Sequence, residues 1–578
     1  MKGMSISVAA AVVMTLAITV SGCGTTSGEA GEGATKAKGV ANAADNAGRP
    51  VDGGSITIGQ GTKYNDQFLP AVDASLYTAN IVGMAFDSLL RVDNKLNFIP
   101  DLAKSWEWSD DKKTLTIHLD PKANWSDGKP ITSDDVLFTI DVIGGKDYAT
   151  ALQGQYGYLV ANILGADKVL NGQAKSFADT GGFKRIDDKT FSLTFKSVDA
   201  AVLYSDIANI QPMPQHVLKD KPVKTWSTLD ENKKPTVVSG PYQFTKVNGQ
   251  DSVEMDANPN YFLGRPHIQR IVFKTVSPNV APGLLANGTL DLMLNGLKPS
   301  DVSGLKTLNN IIVKTMAQNG YFYLGLKLYN KEFQDVRVRQ AFEYALNRQG
   351  MVDGILKGYG SVISGPLPAV SWAAATEKDG LNPYPYDKEK ANQLLDEAGW
   401  KKGPDGLRID PVTGKTANLH LAYYSGDPVV QATCMDIEQD LAAVGVKVTL
   451  DTPLDFNTLA NKVESDDKSL QMWYMGWALG IDPDPRGLWE STASFNFPRW
   501  VDKHDDDLIA QTVSAQAFDK NFRRQALIQW QLYVNQKLPY VFLYAPDNIW
   551  AVSKRLHIPG DDWNVTGPIN VQDWWVES

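Results

Sequence analysis

Hydrophobic positions alternate with polar ones in three short segments of the first half of the chain. Residues 55–58 (SITI), 115–119 (LTIHL) and 191–195 (FSLTF) read as strands, because successive strand side chains point to opposite faces. The second and third each follow a polar turn, SDDKKT and RIDDKT, which predicts antiparallel hairpins. Thr132-Ser133-Asp134-Asp135 precedes the apolar run VLFTI and predicts a capping box opening a helix. The second half changes period. Residues 335–346 (DVRVRQAFEYAL) place Val338, Phe342, Ala345 and Leu346 on one helical side. Residues 387–399 begin with an Asp cap, carry Ala391, Leu394, Leu395 and Ala398, and stop at a glycine. A helix over 429–444 ends at Gly445, and the strand VKVTL follows directly. That succession of helix, glycine and strand is α/β layering. No internal repeat of fixed period is present.

The chain has 578 residues, enough for several domain-sized units. Its net charge of -10 argues against a nucleic-acid partner, which needs a basic surface. Two cysteines, Cys23 and Cys434, cannot make a disulfide framework. Lys2 is followed by the apolar run 6–20 and then Ser21-Gly22-Cys23. A short apolar run ending in small residues is an export signal, too short to span a membrane with normal flanks. The block V-S-G-C resembles a bacterial lipobox, which implies a signal peptide over 1–23 and a lipid thioether on Cys23. Residues 24–53 are rich in Gly, Ala and Thr and hold no aromatic residue, so they are expected to form a flexible linker.

Five blocks in order carry a family resemblance. They are 87–136 (DSLLRVDNKLNFIPDLAKSWEWSDDKKTLTIHLDPKANWSDGKPITSDDV), 239–262 with Gly-Pro-Tyr and Asn-Pro-Asn-Tyr, the Val-Arg-Gln-Ala helix of 335–360, the 386–400 helix YDKEKANQLLDEAGW, and Gly476-Trp477-Ala478. Together, behind a lipobox, they resemble the family 5 extracellular solute-binding proteins of ABC importers, which include dipeptide and oligopeptide binders. The resemblance implies an α/β, two-lobe periplasmic-binding-protein-like fold of the type II, or cluster C, kind, with an extra inserted α+β domain in the first lobe. It places lobe 1 at 54–82, 238–313 and 540–578, the inserted domain at 83–237, and lobe 2 at 314–539. The chain then crosses twice between lobes, an arrangement suited to hinge closure.

Residues 474–489 (YMGWALGIDPDPRGLW) mix aromatic, bare and acidic positions. The resemblance puts this loop in the cleft. Gly476 and Ala478 would leave backbone groups reachable for an extended ligand, Trp477 would stack on it, and Asp482 would hold a positive or hydroxyl-bearing end. A plainer alternative is that Trp473 and Trp477, four apart, form one buried stripe, and that Asp-Pro pairs merely form turns. In peptide binders an Asp three residues after the tryptophan commonly holds the ligand amine, but here that position is Gly480. Either Asp482 substitutes or the amine site is absent, which would favour an oligosaccharide or another non-peptide ligand. Further candidate liners are Gln60, Gly61 and Thr62 after the first strand, Pro366 and Trp372, and Tyr323 near the expected hinge.

Other chemistry is set aside. Gly414-Lys415-Thr416 lacks the earlier P-loop glycine, whose place is Ile409. Asp482-x-Asp484 is not a calcium loop, since its twelfth position is Ala493. The histidines show no metal-ligand spacing, so no metal or cofactor is expected. The reading that results is a monomeric receptor. It binds a small extended ligand, an oligopeptide or else an oligosaccharide, sits on the membrane through its lipid, and serves a permease and ATPase complex without performing chemistry. A secreted hydrolase using two carboxylates, and a signalling or adhesion protein, are the competing readings.

Overall fold

The strand Tyr540–Ser553 is apolar along almost its whole length, and that property organises the molecule. The computed structural model describes residues 49–577 apart from 71, 73, 74 and 153. Cys23 and residues 24–48 of the expected linker lie outside the described residues. Among the described residues, no helix is long and apolar enough to cross a membrane.

Tyr540–Ser553 runs through both lobes. Its residues Tyr540 to Ala545 are buried in one hydrophobic core with Tyr321, Trp473 and Trp489. Trp550 and Val552 are buried in a second core, with Ile56, Ile58 and Phe273, and Ile549 and Ala551 in a small satellite cluster beside Leu285. Between these stretches Asp547 and Asn548 are only partly buried. The strand therefore leaves one core and enters the other at this point. In the second lobe it pairs with Gly320–Leu326, and in the first with Ile311–Ala317 and Leu292–Asn295. Gln318 and Asn319 join Ile311–Ala317 to Gly320–Leu326, so they form the other crossing. The Gln318 amide donates to the Pro546 carbonyl (3.0 Å), which ties the two crossings together. Both crossings fall a few residues past the lobe borders drawn from the sequence, because the strands run through the border instead of ending at it.

One mixed sheet follows from this continuity. Across it lie Lys447–Leu450, Asn418–Ala422, Met472–Ala478, Gly320–Leu326, the long strand, Leu292–Asn295, Ser55–Gln60, Arg270–Thr275, Ser252–Ala257 and Tyr242–Asn248. The second-lobe helices form where the apolar periodicity and acidic caps predict. Val336–Ala345, Lys388–Glu397 and Pro428–Ala443 open on Asp335, Asp387 and Asp427, each accepting from a backbone N–H of the first turn. Gly399 and Gly445, which follow two of these helices, adopt positive φ.

A separate antiparallel sheet of Ala103–Trp108, Thr114–Leu119, Thr190–Thr194 and Phe183–Arg185 lies within the segment expected to be inserted. The helix Ser133–Gly144 packs beside it, opened by the Thr132/Asp135 capping box. Buried residues of this part, such as Leu115 and Phe191, belong to the same core as Ile58 and Phe273. The segment expected to be inserted thus shares one core with the first lobe. It also reaches the second lobe. The Ala200 amide donates to the Val513 carbonyl (3.0 Å), and Trp108 meets Phe518 edge-on at 5.0 Å.

Candidate functional site

Where the two crossings meet, the lobes leave a cleft of about 410 Å³, a size common among small-ligand sites. Gly61 and Thr62 line it from the first lobe and Ala478, Leu479 and Ile481 from the second. Its polar groups are mostly neutral carboxamides, from Asn80, Asn279, Asn295, Gln318, Asn319 and Asn548. Among the described residues Asp547 is the one charged side chain in the lining, and the Trp550 indole provides an aromatic surface.

Several of these groups are pinned by the backbone. Asn295 Oδ1 accepts from the Gly61 N–H (2.9 Å). Asn319 Nδ2 donates to the carbonyls of Leu479 (3.1 Å) and Gly480 (2.9 Å), which anchors the second-lobe loop to the hinge. Asn548 Nδ2 donates to the Val565 carbonyl (2.7 Å). The strand Met472–Ala478 is paired on one side with Gly320–Leu326 along its whole length. On the other side Asn418–Ala422 pairs only with Met472 and Trp473. Among the described residues, the edge from Tyr474 to Ala478 is left without a partner strand, and it ends in the cleft wall.

Of the residues expected from sequence, Gly61, Thr62 and Ala478 line the cleft. The others lie elsewhere. Gln60 is fully buried; its Nε2 donates to the Tyr77 carbonyl (3.2 Å) and its Oε1 accepts from Asn80 Nδ2 (2.9 Å), so it orients two liners from behind. Trp477 is a core residue, only 8% exposed. It stacks on Phe497 at 5.1 Å and on Tyr323 at 6.1 Å, and Tyr323 is itself buried. Trp473 and Trp477 occupy the same face of one strand, so burial of the first carries the second with it. Gly476 is bare for a packing reason: a Cβ there would lie 2.9 Å from the Phe322 ring. Pro366 is buried and Trp372 lies under Arg523, whose guanidinium is 6.0 Å from its ring.

Asp482 is not free to meet a ligand amine. Both its oxygens accept from Arg523, at 2.6 Å each, and both side chains are buried. Burial pushes the Asp482 carboxyl up, against the opposing pull of Arg523. Beside it Arg486 bridges Asp484 (2.5 Å) in its own loop and Asp199 (2.7 Å) in the insertion. Burial works to raise Asp484 as well, but Arg486 outweighs it and holds this carboxyl below the usual range. The doubled Asp-Pro therefore builds an ionic joint between lobes. Sequence reasoning missed Asn80, Asn295, Asn319, Asp547 and Trp550. The available signal was the polar pair Asp547-Asn548, interrupting the apolar run YVFLYAPDNIWAV.

The match to the model of bacterial extracellular solute-binding proteins, family 5, extends over residues 97–498. The chain belongs to this family. It is 26% identical over 575 residues to the oligopeptide-binding protein AppA of Bacillus subtilis, covering 98% of this chain and 97% of that one. The structure of Bacillus subtilis AppA in complex with a nonapeptide superposes with a TM-score of 0.71 at 25% identity, over 92% of this chain and 100% of AppA. Lactococcal OppA, closed on an endogenous peptide, gives a TM-score of 0.75 at 22% identity, over 90% and 100%, and shares the fold. The family 5 architecture of two lobes agrees with the two cores and two crossings described above.

Proposed function

We propose that this family 5 protein is the receptor of an ABC importer for oligopeptides, held on the outer face of the cytoplasmic membrane through a lipid on Cys23. The observation that carries the reading is the unpaired edge of Met472–Ala478 running into an interlobe cleft. An extended peptide satisfies such an edge by adding as a strand, while the neutral carboxamides accept or donate along its backbone without demanding one sequence. Bacillus subtilis AppA, similar over nearly the whole chain, is named for oligopeptide binding. The protein performs no chemistry. A ligand touching both lobes stabilises the closed arrangement, and the closed shape is what a permease and its ATPase recognise.

The test is mass spectrometry of the molecules that the natively purified protein releases on denaturation. A family of short peptides is the expected result. Recovery of glycans, or of no peptide even after incubation with a peptide mixture, would overturn the reading. Cys23→Ser should separately move the protein from the membrane to the soluble fraction.

A further inference from the structure

Every acidic side chain of the interlobe ionic joint has a cationic partner, but the carboxylate inside the cleft has none. Asp199 and Asp484 share Arg486, and Asp482 holds Arg523. Asp547 lines the cleft and makes no side-chain hydrogen bond or ion pair among the described residues. Its backbone is fixed on both sides of the strand: it is paired with Ala317, and its N–H donates to the Tyr359 carbonyl (3.1 Å). Pro546 before it restricts the chain further, and Asn548 after it is anchored to Val565. A partly buried, unpartnered carboxylate is costly, so native proteins rarely keep one without a use. Burial alone pushes this carboxyl up, with no opposing cation.

The rest of the lining sharpens the point. Among the described residues, no lysine, arginine or histidine lines the cleft. Lys298, between the liners Leu297 and Pro299, is buried, and its Nζ donates to Asn279 Oδ1 (3.0 Å). In the same lining, Asn295 Nδ2 is a buried donor with no partner among the described residues, while its Oδ1 is taken by Gly61. Among the described residues the cleft thus offers one fixed negative group and, close to the Gly61 backbone, a buried unpartnered amide donor.

Resting on the peptide-receptor reading, we propose that Asp547 is a cation subsite that selects ligands presenting a positively charged nitrogen beside the hinge. The nitrogen is either a peptide amino terminus or a lysine or arginine side chain; both offer the same charge-assisted N–H donors. Asn295 Nδ2 meets a ligand carbonyl. A ligand seating a carboxylate at this place is rejected, since none of the described liners is a cation that could receive it.

The experiment uses the mature protein and its Asp547→Asn variant with short synthetic peptide pools, read by mass spectrometry of the retained fraction. One pool has free amino termini and no Lys or Arg, one is N-acetylated with Lys or Arg, and one is N-acetylated without either. The wild type should retain at least one of the first two pools about tenfold or more over the third, and Asp547→Asn should lose that preference. The pool that is favoured identifies the source of the charge. Equal retention of all three by wild type, or an unchanged preference in the variant, overturns the role of Asp547 while leaving the receptor reading intact. Retention of no pool by the wild type overturns both. The melting temperature guards against a merely structural role: Asp547→Asn removes an unpaired charge and should leave it unchanged or raise it, whereas a fall would contradict the proposal.

Discussion

Two zones join the lobes, and they are built from opposite materials. At the hinge, the described residues line the cleft with carboxamides and apolar walls and a single charge, Asp547. At the far contact with the insertion, Asp199, Asp484, Arg486, Asp482 and Arg523 form a dense set of buried or half-buried ion pairs. The same stretch, 474–489, supplies both: Ala478, Leu479 and Ile481 wall the cleft, and Asp482, Asp484 and Arg486 make the joint. Its odd composition records two tasks performed side by side. Neutral hydrogen-bonding groups suit a site that must accept varied ligands and release them. Fork-shaped, charge-assisted pairs suit a contact that must form in one geometry.

The comparison breaks most violently in the core that supports both zones. Trp477→Ala removes a side chain packed on Tyr323, Phe495 and Phe497. It should cost about 3–5 kcal/mol of stability, seen as a large fall in melting temperature, instead of a selective loss of binding. Arg523→Met leaves Asp482 buried and unpaired and should cost a comparable ~3–5 kcal/mol in denaturant unfolding. Adding Asp482→Leu should recover much of that loss, because a buried pair replaced by apolar groups of similar volume is often neutral.

A gentler change separates the joint from the cleft. Arg486→Lys keeps the charge but loses the fork that spans Asp484 and Asp199. The closed population of the unliganded protein should fall about tenfold, read as a larger radius of gyration by small-angle scattering. Thermal stability of the second lobe should change little.

The smallest expected effect is a pH dependence next to the joint. Burial, with Asp199 and Asp484 nearby, pushes the Asp206 carboxyl up to about 8, against its Ser205 hydrogen bond and Arg486. A carboxyl raised in the folded state binds more protons folded than unfolded between its ordinary range, near ~4, and 8. Its contribution therefore disfavours folding increasingly as pH rises through that window. Asp206→Asn should raise the melting temperature at pH above 8 and change it little near pH 4. A gain that is equal at both ends would show that folding does not raise the Asp206 carboxyl.

What could be read from the sequence follows from range. The caps of the second-lobe helices and the Thr132/Asp135 box depend on neighbours within a few positions, and they stand where the pattern places them. The five blocks identify the family because order along the chain survives divergence. The site was less legible. Asp482 looked like a free anion because its partner Arg523 lies on a helix 41 residues on. Gly476 looked like open backbone, although the Phe322 ring that covers it comes from the neighbouring strand. Trp477 could have been assigned to the core from strand period alone, since it shares a face with Trp473. Asp547 was hidden in a run whose apolar character spoke only of a strand. Its meaning appears once the two halves of that run are seen in separate cores.

The most direct test of the division between cleft and joint is a crystal structure of the mature protein with a peptide recovered from it. The account predicts the peptide lying along the Tyr474–Ala478 edge, its positive nitrogen at Asp547, and Asp482 still paired with Arg523. A structure in which Asp482 leaves Arg523 to hold the ligand amine, with Asp547 untouched, would contradict it.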